Sequence, residues 1–162
     1  MVADVGFGGG LVLRFLLDRV SGNGKVHGVE VSSVMLSGAA RKFSDEIARG
    51  RLELHRASIT DLPFGSAALD GVVTTHTIYF VSELERAFSE IANALKRSGH
   101  AAIGLGDPDA MSGFRPYGFR VRAISEVVQA LERAGLTLTE HREIGKDSGR
   151  FHMLLATPGK GA

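Results

Sequence analysis

The chain has no cysteine. That absence excludes disulfide frameworks, thiolate nucleophiles and cysteine-ligated metals. It has no surplus of charge either: 19 basic against 18 acidic residues leave a net charge of +1, which gives no electrostatic footprint for nucleic acid or an anionic membrane. No apolar run approaches the ~18 to 20 residues needed to cross a bilayer. The opening Met1-Val2-Ala3-Asp4 lacks the basic-then-apolar layout of a secretory leader. The expectation is a cytoplasmic protein with neither nucleic acid nor membrane as partner. What is present is an ordinary globular composition, 44% hydrophobic and 23% charged, and 162 residues suffice for one cored domain over 1–162.

Along the chain, short apolar runs alternate with helical patterns. Val2 to Val5 reads as a strand that runs into Gly6-Phe7-Gly8-Gly9-Gly10. A helix follows with Leu13, Leu16, Leu17 and Val20 on one face, then a strand at Val26 to Val31. Ser32 or Ser33 caps a second helix reaching about Ala48, and Leu52 to Arg56 alternates as a third strand. Leu69 to Thr74 reads as a fourth strand, Glu83 to Lys96 as a helix, and Ala101 to Leu105 as a fifth strand. Gly106 to Tyr117 reads as a loop, Ile124 to Ala134 as a helix, and the strands at Leu136–Glu143 and Phe151–Thr157 as a hairpin joined through residues 145–149. Alternating strands and helices imply right-handed βαβ units and a parallel sheet covered on both faces. The end departs from this: two strands meet without a helix. No repeat, low-complexity tract or linker divides the chain.

In open α/β sheets a ligand lies beyond the carboxyl ends of the strands, where strand order reverses. The first glycine cluster falls at such a place, and the helix behind it offers free N–H groups to an anion. Its spacing is informative. Counting from Gly6, the last glycine of the dinucleotide pattern G-x-G-x-x-G is replaced by Leu11, and no Gly-Lys-Ser/Thr follows to make a phosphate loop. What stands here is Asp4-Val5-Gly6-Phe7-Gly8-Gly9-Gly10, or D-x-G-x-G-x-G. Glu30 ends the second strand twenty residues after Gly10, where a carboxylate can accept from both hydroxyls of a ribose. The bland alternatives are a glycine-rich turn of a generic α/β domain and a solvent-facing strand-end glutamate.

The D-x-G-x-G-x-G segment resembles motif I of class I S-adenosylmethionine-dependent methyltransferases, closest to the small-molecule group with the ubiquinone-biosynthesis-like core. The resemblance implies a Rossmann-like, doubly wound, mostly parallel α/β sheet ending in an antiparallel hairpin. It also implies S-adenosylmethionine as cofactor, with Gly6, Gly8 and Gly10 at its methionyl part, Asp4 fixing the loop and the cofactor ammonium, and Glu30 on the ribose. Ser58-Ile59-Thr60-Asp61-Leu62-Pro63-Phe64 is similar to the family segment D-A-x-x-L-P-F. Ser58 stands where an aspartate usually takes the adenine amine, and the Ile59 backbone is placed to read a ring nitrogen. Leu69 to His76 is similar to the fourth strand and following loop, which puts Thr75 beside the cofactor, and Leu95-Lys96-Arg97-Ser98-Gly99 to the L-K-P-G-G turn.

A sulfonium methyl is already activated, so catalysis needs in-line positioning, and a base only if the acceptor arrives protonated. His76, just after strand four, is the candidate base, and Tyr79 the candidate for orienting an acceptor. The alternative is that both simply pack at the start of the next helix. Phe114 to Arg120 supplies Tyr117 and Arg120 as acceptor-binding candidates, or else solvated arginines and aromatic anchors. The scattered histidines show no H-x-x-x-H spacing, so no metal is expected.

The family usually carries a helix before strand one, whereas here only Met1 precedes Val2. The expectation is an N-terminally short domain with uncovered apolar sheet, associating with another chain or copy, or weakly stable. Three functions stand: methyl transfer to a small organic molecule, a noncatalytic cofactor-binding or interaction module, and a nicotinamide-dependent oxidoreductase, which the loop spacing disfavours.

Overall fold

The computed structural model describes residues 1–146 and 149–159. Seven strands form one sheet in the order β3-β2-β1-β4-β5-β7-β6. β1 (Val2–Val5), β2 (Val26–Glu30), β3 (Leu52–Arg56), β4 (Leu69–Thr75) and β5 (Leu95–Gly106) are mutually parallel. β7 (Phe151–Pro158) runs antiparallel to β5 and to β6 (Leu136–Ile144). The mostly parallel sheet with an antiparallel end is the architecture the alternation implied. Of the expected hairpin connection, Asp147 and Ser148 lie outside the described residues.

Period-two patterning sorts each strand between two faces. One face carries Ala3, Val5, Val72, Ala101, Ile103, Leu105, Leu154 and Ala156, all buried. It packs against α4 (Leu84–Ala94) and α6 (Ile124–Arg133), whose Phe88, Ile91, Val127 and Leu131 are fully inside. On the other face Val26 and Leu52 meet Leu13 and Leu17 of α1 (Leu11–Arg19) and Ala39 of α2 (Ser33–Lys42). Strand order reverses between β1 and β4, so the carboxyl ends of β1, β2 and β4 diverge around a crevice.

Three boundaries differ from the sequence reading, each for a local reason. The helix expected over 33–48 is broken at Phe43 into α2 and α3 (Ser44–Ala48), because Phe43 turns inward to a position only 1% exposed, where its ring closes on Gly10. The helix expected to Lys96 stops at Ala94, because Leu95 pairs with Leu69 and starts β5, the pairing resuming past an irregularity at Gly71 and His100. The segment expected as a loop over 106–117 holds α5 (Pro108–Met111) and a 3-10 turn at Ser112–Tyr117. The Asp107 side chain caps the Asp109 and Ala110 amides, and Pro108 supplies a preset first helical residue.

Candidate active site

At the reversal point lies a cavity of about 490 Å³, within the range of small-ligand sites. Its walls come from five places: Val5, Gly6 and Gly8; Val29 to Ser32 with Met35; Ala57, Ser58 and Ile59; Thr75, His76 and Thr77; and Phe80 with Val81. The charged hollow of about 650 Å³ between α4 and α6 shares no lining residue with it. That hollow is edged by paired side chains, with Arg133 Nε 3.0 Å from a Glu85 oxygen.

The glycine turn is shaped by left-handed backbone at Gly6, Gly8 and Gly10 (φ 76°, 50° and 73°), a region costly for other residues. Each glycine has a separate reason to lack a side chain. A Cβ at Gly6 would sit 2.2 Å from Thr77 Oγ1, and one at Gly10 would sit 2.8 Å from the Phe43 ring, whereas one at Gly8 would meet nothing within 4 Å. Gly6 and Gly10 therefore close contacts within the fold, and Gly8 opens toward the cavity. Glu30 is fixed across from it: Oε1 accepts from the Val31 and Ser32 amides (2.9 and 3.0 Å), and Oε2 accepts from the Gly8 amide (3.1 Å). A carboxylate has about four lone-pair sites, so three bonds leave capacity for a further donor.

Asp4 lies beneath this turn and does not line the cavity. It is 1% exposed, and neither carboxylate oxygen closes a hydrogen bond among the described residues. Burial pushes its pKa up to about 7; the nearby Leu13 amide pulls the other way and the Glu30 charge adds to the rise.

Ser58, Ile59 and Thr75 line the cavity. The Ser58 hydroxyl is engaged locally, 2.8 Å from Thr60 Oγ1 and accepting from the Thr60 amide. His76 lines the opposite side with left-handed backbone (φ 57°), its amide donating to Gly104 O at 2.9 Å. Partial desolvation lowers its pKa, so the imidazole is neutral at pH 7 and free to accept a proton. The Tyr79 ring lies tilted against His76, but Tyr79 is 2% exposed, absent from the cavity wall, and its oxygen accepts from the Gly106 amide at 2.7 Å. Tyr117 and Arg120 are exposed and outside the cavity wall.

Several wall residues were not singled out from the sequence. Thr77 donates to Val5 O (3.2 Å), tying the strand-four loop to the glycine turn. Met35 and Phe80 form exposed apolar lips, and Phe80 packs edge-on to Phe119 at 4.8 Å between centroids. Arg122 donates to Ile78 O (3.0 Å) and Val81 O (2.6 Å), strapping the wall from below.

The strand order and its reversal point define a doubly wound α/β domain, with the glycine turn and the strand-two carboxylate at its crevice. A family profile described as "Methyltransferase domain" matches residues 3–103, and the chain belongs to that family. It is 31% identical over 120 residues to a demethylmenaquinone methyltransferase of Symbiobacterium thermophilum, covering 74% of this chain and 47% of that protein. It is 30% identical over 104 residues to an uncharacterized methyltransferase of Bacillus subtilis, covering 64% and 55% respectively. Among solved structures, a SAM-dependent methyltransferase from Aquifex aeolicus superposes with a TM-score of 0.83 at 25% identity, over 97% of this chain and 81% of that one. The chain spans between 27% and 55% of the length of the curated relatives it matches. Among the described residues no helix is long and apolar enough to cross a membrane.

Proposed function

We propose that the chain binds S-adenosylmethionine in the crevice at the carboxyl ends of β1, β2 and β4 and transfers its methyl group to a small organic acceptor. The observation that carries this reading is Glu30 held at the rim by three backbone amides, facing a glycine whose missing side chain leaves open space. The fit extends to charge: Asp4, buried beneath the turn and unpartnered among the described residues, has a pKa raised to about 7, and a cationic ligand above it would favour its charged form. When bound, the cofactor supplies an activated sulfonium methyl.

The chain's own residues then bind, orient and exclude water. Gly8 allows close backbone approach, Gly6 lets Thr77 close the turn beside it, the remaining lone pair of Glu30 accepts a ribose hydroxyl, and Ile59 presents its backbone to the base. Met35 and Phe80 are apolar lips that displace solvent from the reacting end. His76 faces the same space as a neutral imidazole able to take a proton from a protonated acceptor. The names of the relatives favour a small molecule as that acceptor.

Calorimetric titration with S-adenosylhomocysteine tests the reading, beside Gly8→Arg, which fills the open space, and Glu30→Ala. Micromolar binding to the folded chain, abolished in the first variant and weakened about tenfold or more in the second, is expected from losing a half-buried charged hydrogen-bond partner. Absence of binding by the folded wild type overturns it.

A further inference from the structure

The hairpin that ends the sheet carries a second constellation, hidden in the sequence by its strand pairing. His141, Glu143 and His152 each offer a ligand atom, and these atoms all lie within 4.8 Å of one another. His141 and Glu143 are on β6 and His152 on β7, with Glu143 directly opposite His152 and His141 opposite Leu154.

Their convergence depends on an irregularity. Leu136 and Leu138 face the core opposite Pro158 and Ala156, and strict alternation would next turn residues 140 and 142 to that face. The register instead shifts between Leu138 and Glu140, leaving Thr139 as the extra residue, its hydroxyl donating to Leu155 O at 3.1 Å. This bulge brings His141 and Glu143 onto the face of His152 and Leu154, and re-aiming side chains is what bulges do in functional sheets.

We propose that His141 Nε2, His152 Nδ1 and a Glu143 oxygen bind a divalent transition-metal ion of zinc's class, with the fourth position open to water. Two imidazoles and one carboxylate are a ligand set that such ions take. The two ring nitrogens are 2.9 Å apart, and Zn–N bonds of about 2.0 to 2.1 Å imply a separation of roughly 3.3 Å in a tetrahedron. The metal takes the place of the hydrogen now shared between them.

The second layer of the site is present too. His152 is 4% exposed, and its other nitrogen, Nε2, lies 3.5 Å from Asp107 Oδ2. A carboxylate at that nitrogen leaves Nδ1 as the bare lone pair a metal needs. Arg150 Nη1 lies 3.6 Å from Glu143 and 3.9 Å from Asp107, so two carboxylates and one guanidinium leave a net −1 for a cation to neutralise. Glu143 then keeps one oxygen toward Arg150 and turns the other to the metal.

A similar trio, His27, Glu53 and His55, also converges. It lacks such support: His27 Nε2 is buried without a partner among the described residues, and Lys25 Nζ sits 3.4 Å from Glu53.

The test is calorimetric titration of the untagged chain, stripped with chelator, with zinc sulfate. His141 and Glu143 are exposed, so His141→Ala and Glu143→Gln leave the core intact, which circular dichroism verifies. The expected result is a saturable site weakened at least tenfold by His141→Ala, weakened by Glu143→Gln, and unchanged in His55→Ala. Cobalt at the same site is expected to show the intense visible bands of tetrahedral coordination. No saturable binding by the wild type overturns the proposal. So does binding that survives His141→Ala, including the case in which His55→Ala removes it and the other trio is the metal site.

Discussion

The two walls of the cavity are built by different means. The wall made by Gly6 to Gly10 and Glu30 draws on two short segments, the ends of β1 and β2, and backbone hydrogen bonds hold it: the amides of Gly8, Val31 and Ser32 fix one carboxylate. The wall made by Thr75 to Val81 is assembled from distant parts. Thr77 reaches back to β1, Tyr79 holds the end of β5, Arg122 straps two carbonyls, and His76 adopts a backbone shape that non-glycine residues avoid. On the proposed function, the first wall is the cofactor side and the second the acceptor side, which loop residues can vary while the fold stays constant.

The largest expected effect probes what lies beneath the first wall. Asp4 has a folded-state pKa near 7 against an ordinary value of 3.8. Between those limits the native state holds a proton that the unfolded chain has released. Stability is therefore full below about pH 4 and is lost as pH rises through 7, by on the order of 4 kcal/mol. Asp4→Asn is expected to abolish that loss, seen as urea midpoints at pH 5 and pH 8 that differ far less than in the wild type. An unchanged pH dependence would mean that Asp4 is solvated or partnered in solution.

Next in size is Gly6→Ala, which strikes where the two walls touch. Left-handed strain of ~1 to 2 kcal/mol adds to overpacking of ~1 to 3 kcal/mol, because the new Cβ would meet Thr77 Oγ1 at 2.2 Å. A loss of about 3 kcal/mol in denaturant unfolding is expected, together with weakened S-adenosylhomocysteine binding. Gly8→Ala has no such neighbour, and only the strain is expected. Equal destabilisation by the two substitutions would refute the separate roles given to these glycines.

The same contrast explains what the sequence disclosed. The glycine turn and Glu30 were legible because one short segment and one strand end encode them, and their spacing excluded the dinucleotide and phosphate-loop patterns. The succession of strands and helices along the chain followed from alternation, since period two and period 3.6 are written locally. Phe43 breaking a helix was not legible, because the force that turns it inward is contact with Gly10, far away in sequence. Arg122 and Thr77 belong to no pattern; their partners are carbonyls, which every residue has. His141, Glu143 and His152 show no ligand spacing because a bulge and an antiparallel pairing, not an interval along one chain segment, bring them together.

Tyr79→Phe sharpens the second wall at a smaller scale. Removing the oxygen leaves the Gly106 amide without its acceptor at a part-buried site, which costs about 1 to 2 kcal/mol. The expected outcome is a lower melting temperature with unchanged S-adenosylhomocysteine affinity, since Tyr79 does not line the cavity. The reverse pattern, lost affinity at unchanged stability, would put the phenol inside the site.

The smallest effect separates fold from function at His76. Its φ of 57° costs a non-glycine residue ~1 to 2 kcal/mol, while glycine's greater loss of chain entropy costs ~0.5 to 1 kcal/mol. His76→Gly also removes the imidazole's contacts with the Tyr79 and Phe151 rings, worth ~0.5 to 1.5 kcal/mol, so the net change in stability is expected to stay within about 1 kcal/mol. Strain persists where surrounding structure over-determines it, and here the Gly104 carbonyl and the flanking Tyr79 and Phe151 rings hold the imidazole at the cavity. With an acceptor that arrives protonated, the same substitution is expected to lower kcat and remove the acidic limb of the pH–rate profile. His76→Gln keeps a side chain and the strain without the base, so it should reproduce the kinetic loss. If both variants instead retain full activity and the acidic limb, the imidazole is only a packing element, and the acceptor wall carries no base.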